Sequence, residues 1–378
     1  MEKRVIIVDF NHMAYSYHWS KFRLSCMLIE DGKAVEHDTT IASGTIKNIF
    51  RWSKNGKYPT AVCFDRKVTA RKEYFQEQFP DMKIGSDNEY KGKRSKMPED
   101  MKVGIADSEY LLRKGGVSCF AAEGYEADDL IFACVQRAKA KYPGWPIDVI
   151  TNDADLLPLV DDTVSVFIRS KTGTYAESKD LEKAKYVQVT PRNFQSYVES
   201  LSDYKGFLIP YNSLLLHKLL RGDKSDNYKR KDISRLFPMT KYNDMISRML
   251  SDDINFEEIF RYGEPVVELR YKDTDKLYEG TLQEALKSPN RANLYQKIKN
   301  TEQLDVILEV LKIYTPLSEE MLDHIEKMYW GINLNQIYPN KKGSSRRAFN
   351  CLSQGDINPF DEFALNKAVS TFNITLLK

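Results

Sequence analysis

The chain has 378 residues, 42% of them hydrophobic and 29% charged, a composition that argues against a disordered or membrane-embedded protein and suits one large domain or two ordinary ones. Its 56 Lys and Arg nearly balance 54 Asp and Glu. No apolar run is long enough to cross a bilayer, and the opening MEKRVIIVDF reaches an acid at Asp9 too early for a secretory signal, so a cytoplasmic protein is expected. Five cysteines without C-x-x-C spacing and five histidines without an H-x-x-x-H pair argue against a disulfide framework, a zinc knuckle and a zinc hydrolase. Oxygen ligands remain for any metal.

Taken in chain order, RVIIVDF is a continuous apolar run ending in a polar residue, the pattern of a central parallel strand. A helical spacing of apolar residues follows from Thr45 to Trp52, then a second strand, TAVCFD. The stretch from Lys67 to Glu99 is rich in Lys, Arg and Glu and poor in apolar residues, and is expected to project from the sheet. Helical patterns at Met101 to Lys114 and Ala127 to Tyr142 alternate with strands VSCFAA and IDVIT, and TVSVFIRS is a further strand. This alternation predicts an α/β fold with a central, mostly parallel sheet flanked by helices. Beyond Asp226 the strand-like runs stop and helical patterns such as LDVILEVLKIY and MLDHIEKMYWG take over, the latter closed by Gly331 as a C-cap. The polar, turn-rich tail beyond Pro339 reads as a surface arm. The expected organisation is a core over 1–228 with a basic excursion at 66–102, a C-terminal helical region over 229–338, and an arm over 339–378.

The acids are placed suggestively. Ligands in open parallel sheets bind beyond the carboxyl ends of the strands, and Asp9, Asp65, Asp153 and Asp155 all fall there. An extended D-x-D at Asp153 and Asp155 would send both carboxylates to one side. Such a pair repels itself unless a cation, shared protons or solvent offsets it. Glu126, Asp128 and Asp129 in EGYEADDL open an apolar helix, where carboxylates are favoured by the helix dipole, but three acids in four residues exceed what capping needs. Asp223 and Asp226 in GDKSDN share one face if helical. Basic residues cluster separately, at Arg66, Lys67, Arg71 and Lys72, at Lys91, Lys93, Arg94 and Lys96, and at Lys229, Arg230 and Lys231.

Together VDFNH, CFDRK, YKGKR, GYEADDL, TNDADLLPLV and GDKSDN, in this order and spacing, resemble the 5'-nuclease family of flap endonucleases, polymerase 5' exonuclease domains and phage RNase H. The phage RNase H branch looks nearest, and the resemblance covers roughly residues 1 to 228. It implies a PIN-like 5'-nuclease core and a two-metal phosphodiesterase, with two Mg²⁺ ions, Mn²⁺ able to substitute, held by Asp9, Asp65, Glu126, Asp128, Asp129, Asp153, Asp155 and Asp223, with Asp226 close by. Asp65, Glu126 and Asp128 would lie nearer one ion, and Asp153, Asp155 and Asp223 nearer the other. Asp128 and Asp153 would serve catalysis directly. Lys91 and Arg94 match the family's Y-K-x-x-R, whose cations approach the scissile phosphate. Lys93 would add a nucleic-acid contact, and Tyr90 either stacks on an unpaired base or simply packs.

One departure stands out. After GDKSDN the chain reads YKRKDISRLFPMT, without the Gly-x-Gly hairpin that most of the family uses to grip duplex through a monovalent cation. Lys229, Arg230 and Lys231 would then meet phosphates directly. The expected activity is 5'-3' exonuclease, flap endonuclease and RNase H action that removes RNA primers or 5' flaps during DNA replication. The substrates would be branched or nicked DNA and RNA-DNA hybrids with a 5' end. A monomer with no membrane attachment is expected, in the host cytoplasm if phage-encoded, and a single-strand-binding protein or other replisome component is a candidate partner. The alternatives are a PIN-type ribonuclease, which is usually shorter and lacks the YKGKR excursion, and a non-catalytic nucleic-acid scaffold, which would have lost some of the nine acids. The motifs SRRAFNCL and NPFDEF would either dock a replication partner or cover their own domain, the latter being favoured.

Overall fold

A computed structural model describes residues 3–66, 70–79, 96–169, 186–222, 237–254, 256, 267–271, 294–298, 303–332 and 356–376. The strands β1 (Val5–Asp9), β4 (Thr60–Phe64) and β6 (Ile147–Thr151) are buried along their whole length, because helices α1 (Phe10–His18), α4 (Glu99–Lys114) and α5 (Ala127–Lys141) pack against the sheet, with α2 (Thr40–Trp52) laid on α1 and α4. Continuous apolar runs are what a doubly covered parallel strand requires. With β5 (Ser118–Ala121), β7 (Val164–Arg169) and β8 (Tyr186–Val189) they form one six-stranded sheet in the order β5-β4-β1-β6-β7-β8. All pairs are parallel except β7 with β8.

This order sets the site. The chain runs from β1 outward to β4 and β5, then crosses to the other side of β1 to lay down β6, so the strand order reverses next to β1. A crevice opens at such a reversal, beyond the carboxyl ends of the strands. The register places Ile7 between Ala61 and Val149, which brings the ends of β4, β1 and β6 side by side. Beneath them Phe10 stacks on Phe64 at 4.5 Å within a core that includes Ile6, Val8, Ile46, Phe50 and Val62.

Several elements differ from the sequence reading. The chain between α1 and α2 forms a hairpin of β2 (Ser25–Glu30) and β3 (Lys33–Asp38), closed by Asp31-Gly32 with both φ angles positive. Such a two-residue Asp-Gly turn matches the twist of the strands it joins. The start of the basic stretch does not project: α3 (Ala70–Gln78) buries Tyr74 and Phe75, and Phe79 directly after it is buried too, aromatic area that outweighs the surrounding charge. The rest of that stretch up to residue 95, including Tyr90, Lys91, Lys93 and Arg94, lies outside the described residues.

The described residues group into two compact units, one holding 3–205 and 356–376, the other holding 206–222, 237–254 and 303–332 with a small sheet. After α6 (Phe194–Ser200) at the end of the first unit's stretch, α7 (Leu214–Arg221) and α8 (Met239–Ser251) of the second unit precede that sheet, β9 (Val267–Tyr271) paired antiparallel with β10 (Leu294–Ile298). Strands therefore do recur beyond Asp226. The helices α9 (Gln303–Tyr314) and α10 (Glu319–Ile332) coincide with the two apolar motifs, but Gly331 is a buried residue inside α10 rather than its cap. In the first unit the last described segment packs on that unit's core: Asn358 bridges to Thr60, Phe360 is buried, and α11 (Glu362–Ser370) lies on α4. NPFDEF thus covers its own domain, while SRRAFNCL lies outside the described residues.

Candidate active site

Asp9 ends β1 and caps α1, its Oδ1 accepting the backbone N–H of His12 at 3.4 Å. The apolar strand and the helix that follows hold it almost completely buried, at 1% exposure. Burial pushes its carboxyl above the ordinary carboxylate range; the neighbouring Asp153 adds to the rise, while His12 and the Thr151 hydroxyl oppose it. Thr151 joins the two acids: its Oγ1 donates to Asp9 Oδ2 at 2.7 Å and accepts from the Asp153 backbone N–H at 2.9 Å.

The D-x-D is not extended. β6 ends at Thr151 and the chain turns into a 3-10 helix over Ala154–Leu159, for which Asp153 is the N-cap, its Oδ1 accepting the Asp155 N–H at 2.9 Å. Capping satisfies an orphan helix donor and so wins over the extended form. Asp155 follows in the first turn, half-buried.

Asp65 lies just beyond β4 and its Oδ1 accepts the Ala127 backbone N–H at 2.6 Å, which ties it to the amino end of α5. Asn11 Oδ1 takes the Asp65 N–H at 3.4 Å. Asp128 lies in the first turn of α5, buried, and adds its charge to those felt by His12. Its neighbours have other duties. Glu126 is the N-cap of α5 and forms a capping box with Asp129, and both carboxylates bind Arg71, from Nη1 to Glu126 Oε2 at 3.0 Å and from Nη2 to Asp129 Oδ1 at 2.6 Å. With Asp129 Oδ2 accepting the Glu126 N–H at 3.1 Å, both Asp129 oxygens are engaged within the protein.

His12 gives the cluster a cationic member. Its Nε2 lies 3.4 Å from Asp153 Oδ2 and 3.9 Å from Asp9 Oδ2. Burial opposes its charged form, but Asp9, Asp153 and Asp128 outweigh burial and raise its pKa to about 10. Thr151, His12, Asn11 and Arg71 were not among the candidates taken from the sequence. The only trace of them there is position: Thr151 and His12 belong to the same short motifs as the acids, whereas Arg71 read as one surface cation among many. It is in fact 6% exposed, and Arg66 is paired with Glu109 at 2.8 Å.

The structure therefore gathers Asp9, Asp153 and His12, with Asp128 close enough to His12 to act on it, and ties Asp65 to the helix end that carries Asp128. Asp223, Asp226, Lys229, Arg230 and Lys231 lie outside the described residues. The donor set suits a hard divalent ion: buried carboxylates held by backbone amides, at least one of them raised by burial, are relieved by a cation. Among the described residues no three His, Cys, Asp or Glu side chains converge tightly enough to enclose an ion.

Residues 4–187 match the family described as the 5'-3' exonuclease, N-terminal resolvase-like domain. The 5'-3' exonuclease of Aquifex aeolicus is 27% identical over 247 residues, 62% of this chain and 75% of that protein. DNA polymerase I of Lactococcus lactis is 30% identical over 168 residues, 44% of this chain but only 16% of the polymerase. Among solved structures, the T5 D15 protein co-crystallized with metal ions aligns over 98% of this chain and 99% of its own, at 13% identity and a TM-score of 0.48. The likeness to the 5'-3' exonuclease family thus rests on residues 4–187, the segment whose acids meet at the strand-order reversal.

Proposed function

We propose that this chain is a metal-dependent, structure-selective 5' nuclease that removes RNA primers or 5' flaps during DNA replication, acting as 5'-3' exonuclease and flap endonuclease, with RNase H activity on RNA-DNA hybrids. The observation that carries it is the joining of Asp9 and Asp153 through Thr151 and His12, beside the helix end that bears Asp128 and is bonded by Asp65.

Two Mg²⁺ ions, with Mn²⁺ as a substitute, would supply an activated hydroxide and neutralise the leaving oxygen. Asp65, Glu126 and Asp128 would hold one, and Asp153, Asp155 and Asp223 the other. The remaining work belongs to the chain. Thr151 and the capping bonds fix the Asp9 and Asp153 carboxylates before any substrate arrives, so little reorganisation is left for the reaction. Lys91 and Arg94 would bring positive charge to the scissile phosphate, Tyr90 would stack on an unpaired base, and Lys93, Lys229, Arg230 and Lys231 would grip backbone phosphates. The substrates would be branched or nicked duplexes with a 5' end, met in the cytoplasm by a monomer, with a single-strand-binding protein or another replisome component as partner.

The test is product analysis on an end-labelled 5'-flapped duplex and an RNA-primed duplex, with Mg²⁺ and with a chelator. Short products released from the 5' end, lost with chelator, are expected on both. Purified protein that leaves every 5' end intact with either Mg²⁺ or Mn²⁺ would overturn the reading.

A further inference from the structure

Arg71 occupies an unusual place for a residue in a basic stretch. It is buried, it comes from α3, and it reaches two carboxylates 55 and 58 positions later. Those carboxylates are the two halves of the capping box that starts α5. Between them lies Ala127, whose N–H holds Asp65, and Asp128. One guanidinium thus stands behind the turn that orients two of the acids assigned to metal.

The arrangement has a physical logic. Glu126, Asp128 and Asp129 in one helical turn repel each other, and an adjacent planar cation with a fixed fork can neutralise two of them while fixing their directions. A metal-site carboxylate left without such support is free to turn away, and outer partners of metal ligands matter for affinity for that reason. Asp129, with both oxygens used by Arg71 and the Glu126 N–H, acts in this support.

We propose that Arg71 is a positioning residue of the nuclease site: by clamping Glu126 and Asp129 it sets the first turn of α5 and with it Asp128 and Asp65, and it takes Asp129 out of the set that touches metal. This rests on the nuclease reading above, so the test includes a measurement that needs no cleavage. Mn²⁺ binding to the full chain is measured by titration calorimetry without nucleic acid, alongside kcat and KM on a 5'-flapped duplex and a thermal melt of each variant.

Arg71→Gln and Asp129→Asn are each expected to weaken Mn²⁺ binding and lower kcat by about 10-fold or more, with KM changed less than about 2-fold. The double variant is expected to be no worse than either single one, because both remove the same bond. Arg71→Lys should recover part of the loss. If Arg71→Gln does not fold, Asp129→Asn and Arg71→Lys carry the test by themselves. Additive losses in the double variant, or a raised KM with kcat and Mn²⁺ affinity unchanged, would overturn the proposal, the second result making Arg71 a nucleic-acid contact. If the wild-type chain cuts nothing yet binds Mn²⁺ with this pattern, the nuclease reading fails while the clamp stands.

Discussion

At the scale of single residues, the site depends on charges that oppose one another and are held by neutral groups. Asp153→Asn or Asp128→Asn is expected to abolish cleavage, by at least about 1000-fold, while DNA binding by gel shift is largely kept, since metal serves chemistry more than docking. Full activity in either variant would remove that acid from the site. Lys91→Ala is expected to lower kcat by orders of magnitude with a smaller change in affinity, the signature of an interaction made in the transition state. A change confined to KM would make Lys91 a backbone contact. His12 carries a signed pH dependence. Its pKa is raised from 6.5 to about 10 in the folded chain, so the stabilisation it brings is complete below pH 6.5 and is lost as pH climbs through 10. In chelator, His12→Gln should therefore melt lower than wild type by roughly 1 kcal/mol at pH 6, a modest figure because the imidazole is partly exposed, and the gap should close towards pH 10. A gap that widens with pH would contradict the ion pairs drawn here.

At the scale of elements, reading the sequence succeeded where one element decides its own form. Five apolar runs are the five parallel strands, and the patterns at 101–114 and 127–142 are α4 and α5 to within about two residues. It failed where a partner decides. Asp153-Ala154-Asp155 looked like an extended exit from a strand, but capping turned it into a 3-10 helix. α3 looked too polar to pack, yet Phe75 and Phe79 stack against each other and are buried. The docking of α11 on α4 gives a test at this scale. A Cβ on Gly115 would lie 2.5 Å from Leu365 Cδ1 and 2.9 Å from its Cα, so Gly115→Ala should cost about 1–3 kcal/mol through overpacking, measured by urea unfolding. An unchanged midpoint would mean that α11 does not sit there.

At the scale of the whole molecule, the last described segment completes the first unit. Ile357, Phe360, Leu365, Val369, Ile374 and Leu376 are all buried there, while Lys141 and Tyr142 hold the Ile357 carbonyl. Burial of each such side chain contributes about 1.5–3 kcal/mol, and their sum rivals the total stability of about 5–15 kcal/mol usual for a domain. Ending the chain after residue 355 should therefore leave no cooperative thermal transition. A melt close to that of the full chain would show the segment to be dispensable.

The sequence by itself determined the parallel strands, the acids at their ends and the order of motifs that marks a 5' nuclease, because burial on both faces and helix-end chemistry are written in local residue patterns. Only the tertiary structure decided that Arg71 lies behind Glu126 and Asp129, that Thr151 and His12 join Asp9 to Asp153, and that the C-terminal segment returns to cover β4 and α4. Those contacts span from tens to hundreds of residues, and a charged or apolar side chain carries no local sign of the distant partner that will neutralise or bury it.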